Sequence, residues 1–187
     1  MTIRRFLLLL ALIPLGAVVA ANQSNVTDED SVAVYSMLIP APISGKPVLV
    51  LNGTVKPTPC WLKDSDIPDE DLRAAMQDFR RGNDVLRPLT WNRGAGTPEF
   101  IDRKEFESYF RRGADKGWKR FFKAHPKASG TIAFSAVGFN PNRTAAVVYS
   151  ATTSCSLCGV GRFHFLRKTP QGWVKVEPNF GTCGWIS

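Results

Sequence analysis

The hydrophobic pattern changes period at Gly130, and this change limits the folds open to the chain. Upstream, apolar residues recur at helical spacing; downstream they alternate along short runs separated by turn residues, as in half-buried strands. Trp118, Phe121, Phe122 and His125 stand at i, i+3, i+4 and i+7 over residues 115–125, and Leu72, Ala75, Met76 and Phe79 repeat the pattern over 68–81. The second segment opens with acids and closes with bases, which suits the helix dipole. Two further helices are expected. One runs over 31–38, with Asp28 or Asp30 as cap and Val34, Tyr35, Leu38 and Ile39 on one face; the other covers 102–110, with Phe106, Tyr109 and Phe110 on one side. Pro47–Val55 is β-rich and reads as a buried strand, and Phe100–Ile101 as a short one. Residues 83–98 read as loop, and Gly94-Ala95-Gly96-Thr97 as a turn, because no Gly-Lys-Ser/Thr follows to make a phosphate loop.

Beyond Gly130 the expected strands are 131–139, 144–153, 162–168 and 173–177, with a short pairing at Trp185–Ile186. Asn140-Pro141-Asn142 and Thr169–Gly172 are turn signals. Helices dominate the first two thirds and a meander the last third. The fold class is therefore α+β, with N-terminal helices packed on a C-terminal antiparallel β-meander.

The start of the chain carries a different message. Arg4 and Arg5 precede an apolar run from Phe6 to Ala21 that ends in small residues, the layout of a secretory signal. Val19 and Ala21 suit the −3 and −1 positions, so cleavage after Ala21 is expected, leaving residues 22–187 as a single α+β domain. A retained anchor is the rival reading. A spanning helix needs roughly 20 apolar residues, and Pro14 and Gly16 weaken this one. No cysteine follows the run to carry a lipid, and so apolar a run suits the general export route better than the twin-arginine one. An exported protein, periplasmic or secreted, with no stable membrane anchor after cleavage is the expectation.

Export gives the four cysteines their meaning. An even count in an oxidising compartment points to disulfides. Cys155 and Cys158 are close enough to pair locally across a Gly-rich bend, which leaves Cys60 for Cys183. Two alternatives compete. Cys155-Ser-Leu-Cys158 has the spacing of a redox motif, but no helix follows to lower a thiolate pKa. Four thiolates also form a zinc set, but such sites come as two close pairs, and Cys60 and Cys183 stand alone. No metal and no cofactor are expected.

The chain carries a formal net charge of +8, with nine basic and three acidic residues between Arg103 and Lys127. Solvated helix faces explain this excess; weak binding to an anionic surface is the functional alternative. Nucleic acid is the least favoured partner, since no recognition motif accompanies the charge. Asp64, Asp66, Asp69, Glu70 and Asp71 lack calcium-loop spacing and read as helix caps. Of the two histidines, His125 ends an aromatic helix face. His164 alternates with Phe163 and Phe165, so Arg162 and His164 are the candidate residues of a cleft if the phenylalanines face the core. A general base there is conceivable chemistry, but no serine elbow accompanies it. A non-enzymatic binding or structural protein of unknown ligand is therefore the leading functional expectation. An envelope thiol-disulfide protein and an accessory protein binding an anionic surface are the alternatives.

Taken in order, Trp118, Phe121-Phe122, His125-Pro126, Gly130, Ser135-Ala136-Val137-Gly138-Phe139-Asn140, Cys155-x-x-Cys158-Gly-x-Gly161, Gly172-Trp173 and Trp185-Ile186-Ser187 form a pattern. It resembles a family of uncharacterised exported bacterial proteins, over about residues 98–187. The resemblance implies an envelope or secreted protein with an α+β domain, and it implies no substrate. Ala136 is a departure, at a position where that family favours Arg.

Overall fold

The computed structural model describes residues 28–58, 60, 62–89, 91 and 97–187. The expected export signal, the polar residues after it up to 27, and Gly94, Ala95 and Gly96 of the expected turn lie outside these residues.

The elements follow in chain order as α1 (Glu29–Leu38), β1 (Val48–Leu51), α2 (Glu70–Gly82), β2 (Phe100–Ile101), α3 (Arg103–Tyr109), α4 (Ala114–Ala124), β3 (Gly130–Phe134), β4 (Gly138–Phe139), β5 (Ala145–Thr153), β6 (Gly159–Thr169), β7 (Gly172–Val176) and β8 (Gly184–Ile186). All eight strands belong to one sheet, ordered β2-β1-β3-β5-β6-β7, with β4 added on β5 and β8 on β6. From β3 onward the pairing is antiparallel. β1 joins β3 in parallel, Val50 opposite Ile132, and β2 joins β1 the same way. The fold is thus α+β with a mixed sheet.

Helices cover both faces of the sheet. On one face α2 packs over Ala145, Val147, Tyr149, Phe163 and Phe165, and α3 with α4 packs over Leu49, Leu51 and Ile101. On the other face Val34, Tyr35 and Leu38 of α1 cover Val50, Ile132, Phe134, Val148, Leu166 and Trp173. A strand covered on both sides is apolar at every position, which is why Val48–Leu51 is buried throughout. Asp69 caps α2 by accepting from Leu72 N at 3.0 Å, and Asp102 caps α3 by accepting from Lys104 N at 2.8 Å. Phe121 is fully buried and Phe122 half-buried, so a single stripe of α4 packs inward.

One expectation is corrected. The strand read over 131–139 breaks at Ser135–Val137, because side chains there take over the ladder's hydrogen bonds. Ser135 Oγ accepts from Tyr149 N at 2.9 Å, the Ser135 carbonyl accepts from Tyr35 Oη at 2.9 Å, and Ala136 N donates to Asn83 Oδ1 at 2.8 Å. The chain then resumes as β4, where Gly138 lies against the backbone of Ala75 and Phe79 in α2 with no room for a Cβ. Asn140 closes the turn by accepting from Thr144 N and Ala145 N, at 2.8 and 2.9 Å. The Ser135–Asn140 motif is therefore a joint that fastens α1 and α2 to opposite faces of the sheet.

Ion pairs fix the N-terminal helices at one end of the sheet. Asp30 receives Arg143 Nε at 3.0 Å, Lys168 Nζ at 2.6 Å and Trp173 Nε1 at 3.0 Å. Burial alone would raise the Asp30 pKa, but these three donors outweigh it and hold the carboxyl below the usual range. Arg167 bridges Asp69 and Asp71 at the start of α2. The acidic cluster is thus spent on caps and ion pairs: Asp64 pairs with Arg80, and Asp66 accepts from Lys63 N at 2.8 Å.

Candidate binding cleft

β6 has eleven residues and its outer edge is served by two different strands. β7 pairs with Phe165–Thr169 and β8 with Val160–Arg162. Between them the chain from Glu177 to Cys183 leaves the sheet, and a notch opens beside Phe163 and His164. The Phe163 backbone stays satisfied across it: its N–H donates to the Cys183 carbonyl at 3.1 Å, and its carbonyl accepts from Thr182 Oγ1 at 3.3 Å. The notch is a cleft of about 550 Å³, with Arg162, His164, Lys175, Glu177, Trp185 and Ile186 on its walls.

Two disulfides frame this end of the sheet. Cys60 and Cys183 are joined with their Cα atoms 5.5 Å apart, and Cys155 and Cys158 with theirs 4.8 Å apart. These are the two pairs put forward from the sequence. β1 and β8 are not neighbouring strands. Cys60 instead packs with Leu62 and Phe163 under α2, on the segment that crosses the sheet face after β1. The bridge anchors the start of β8, and with it one wall of the cleft. All four sulfurs are occupied by these bonds, which leaves none for a zinc ion.

The other wall-forming unit explains the glycines of Cys-x-x-Cys-Gly-x-Gly. Gly159 and Gly161 lie two apart on one side of β6, and Trp185 sits in the trough they leave; a Cβ at either would strike the indole. Trp185 Nε1 donates to Tyr149 Oη at 2.7 Å, and Tyr149 Oη meets Thr58 Oγ1 at 3.1 Å. Ser187 and Gly159 exchange backbone hydrogen bonds, which holds the terminal residues on β6. The Cys155–Cys158 loop connects β5 to β6 without an intervening helix, so no helix within the loop supplies a dipole to activate a thiolate.

His164 and Arg162 share one side of β6 with Leu166. Leu166 is fully buried under α1, whereas His164 is half-buried and Arg162 exposed. The apolar cluster beneath α1 includes Val148 and Leu166; two positions further along each strand, the same face turns polar at Ser150 and His164. His164 Nε2 and Ser150 Oγ are 2.9 Å apart. Burial, aided by the positive charges of Lys175 and Arg162, pushes the imidazole down to about 4. A neutral imidazole of such low basicity is a poor general base near neutral pH, and among the described residues no carboxylate is bonded to it. Ser150 and Lys175 were not singled out from the sequence. Ser150 stands opposite Arg162 and so reaches His164 diagonally across the β5–β6 pair, a neighbour that only the strand register reveals.

His125 is placed elsewhere, at the end of α4. Its Nε2 is 3.1 Å from Glu105 Oε1 and 3.3 Å from Tyr109 Oη, so it ties α4 to α3.

The His164 environment has a pH signature. An unfolded histidine titrates near 6.5, so between pH 6.5 and 4 the unfolded chain binds a proton that the folded chain refuses. Stability from this residue is complete above about pH 6.5 and falls as the pH drops through that window. At pH 5 the loss amounts to about 2 kcal/mol. His164→Gln should remove this part of the pH dependence in urea titrations at pH 7 and pH 5. An unchanged pH slope in the variant would mean that His164 is not held neutral.

Set against known proteins, the chain matches no family model, no curated protein and no solved structure. Among the described residues no helix is long and apolar enough to cross a membrane.

Proposed function

We propose that this chain is an exported, non-enzymatic binding domain that takes a small ligand with an anionic head and an apolar body in the notch between β7 and β8. The observation that carries this reading is the split partnership of β6, which opens a cleft inside an otherwise continuous sheet. Arg162 and Lys175 supply positive charge on its rim, while Ile186, Val176 and Trp185 supply apolar wall. A concave site with few polar groups and an apolar lining is the usual form of a small-molecule site. Arg offers a planar fork matched to carboxylate or phosphate. His164 adds a neutral, Ser150-bonded ring that orients a ligand without exchanging protons near pH 7. The two disulfides and the N-terminal export pattern fit a periplasmic or secreted setting.

The test is a titration with short-chain and aromatic carboxylates and with organic phosphates, followed through the His164 ring and Trp185 indole resonances. Saturable shifts confined to these two groups are expected for at least one series, and Arg162→Ala/Lys175→Ala should weaken that binding at least tenfold. If no series moves either resonance at millimolar concentration, or if the double variant binds as tightly as the parent, the cleft is not an anion site.

A further inference from the structure

A second feature, which shares only Ile186 with the cleft, sits at the turn between β5 and β6. Leu157 is 78 % exposed at the tip of the loop closed by Cys155 and Cys158. A bridge across so short a loop contributes less to stability than the Cys60–Cys183 bridge, because the chain entropy it removes grows with loop length. What it does is fix loop shape, and the shape it fixes holds a large apolar side chain out in water. Val160 follows three residues after Leu157, and opposite it on β8 Ile186 is 81 % exposed. Two such side chains at one end of the molecule, one of them clamped outward, form an apolar tip.

The tip has a cationic surround. Ser156 Oγ donates to Asp115 Oδ1, which seats the loop on the first turn of α4. Around that point Arg111 and Arg112 in the 3-10 turn before α4, and Lys116 and Lys119 on α4, are all exposed. Among the described residues none of these four takes part in a salt bridge. Asp115 is the acid nearest the loop, and Ser156 already engages it. A solvated basic helix face alone would explain the charge, but it would not explain a disulfide-clamped leucine beside it.

We infer that this end of the molecule docks reversibly on an anionic lipid bilayer, Leu157 entering the headgroup boundary and the four cations meeting lipid phosphates. Apolar burial and attraction of basic residues to an anionic leaflet add to each other in this geometry. A loop already held in its inserted shape loses little conformational freedom on docking. The charge is complementary to headgroups, and an apolar tip has no use on a soluble polyanion. That difference separates a bilayer from a polysaccharide.

Vesicle co-sedimentation tests this with the disulfide-bonded protein and vesicles of phosphatidylcholine with 30 % phosphatidylglycerol, against phosphatidylcholine alone, using ~0.05 and ~0.5 M salt to span the screening range. Binding to the anionic vesicles should exceed binding to the neutral ones at least tenfold at low salt, and the preference should collapse at high salt. Leu157→Gln, which removes the apolar side chain without altering the charge, should lower vesicle binding at least fivefold while leaving binding to heparin unchanged. Lys116→Ala/Lys119→Ala should weaken both. Each substitution lies on an exposed position, and an unchanged thermal transition confirms folding. Equal binding to neutral and anionic vesicles would overturn the inference. So would anionic-vesicle binding indifferent to Leu157, which would reduce this face to a general polyanion surface.

Discussion

Replacing both Cys60 and Cys183 with alanine is expected to lower the unfolding free energy by about 5 kcal/mol, the value that the chain-entropy relation assigns to a loop of this length. The bridge spans 123 residues of sequence, so it restrains most of the unfolded chain. Replacing Cys155 and Cys158 together should cost about 2 kcal/mol by the same relation, because only three positions separate them. Alanine is the better replacement, since Cys183 is buried and a serine hydroxyl there would lack a partner. Guanidinium titrations of the two double variants give the comparison directly. Equal losses would show that loop length does not govern these bridges. A loss well below 2 kcal/mol for the long bridge would show that the unfolded chain is already restrained there.

Phe121→Ala should cost roughly 3–5 kcal/mol. The ring is completely buried and lies within aromatic contact of Phe106, Tyr109, Trp118, Phe122 and His125. These neighbours come from α3 and α4 and cannot collapse into the space without parting from β1. Phe122→Ala removes the same number of atoms from a half-buried ring, and the cost should be less than half as large, because less apolar surface returns to water. Urea unfolding of the two variants in parallel separates them. Similar costs would mean that the aromatic stripe of α4 does not face inward through a single edge.

The residues that form the family-like pattern, from Ser135 to Asn140 and from Cys155 to Gly161 with Trp185, mostly fasten elements together. Gly138 admits α2, Gly159 and Gly161 admit Trp185, and Asn140 closes a turn. Packing constraints of this kind produce sharp sequence signatures without any chemistry. The cleft, by contrast, draws Arg162 and Lys175 from different strands and has no compact signature.

The sequence by itself determined the elements and their class. Helical spacing in 68–81 and 115–125, and alternation beyond Gly130, are local properties, and these two helices formed within two residues of the expected bounds; β6 begins three residues earlier than expected, and the strand expected over 47–55 ends at Leu51. The face of β6 that carries Phe163 and Phe165 was equally legible, because period two assigns alternate residues to opposite sides. Tertiary structure alone decided the rest. That β1 enters the sheet in parallel beside β3 follows from where α2, α3 and α4 pack, and strand order leaves no trace in a strand's own composition. The break at Ser135 depends on Tyr35 and Asn83, distant in sequence, which supply the competing hydrogen bonds. Leu166 is buried and His164 half-exposed on the same side of one strand because α1 covers the first and not the second. Alternation tells which residues share a face; only the packed neighbours decide how far along that face the cover extends, and the cleft begins where it stops.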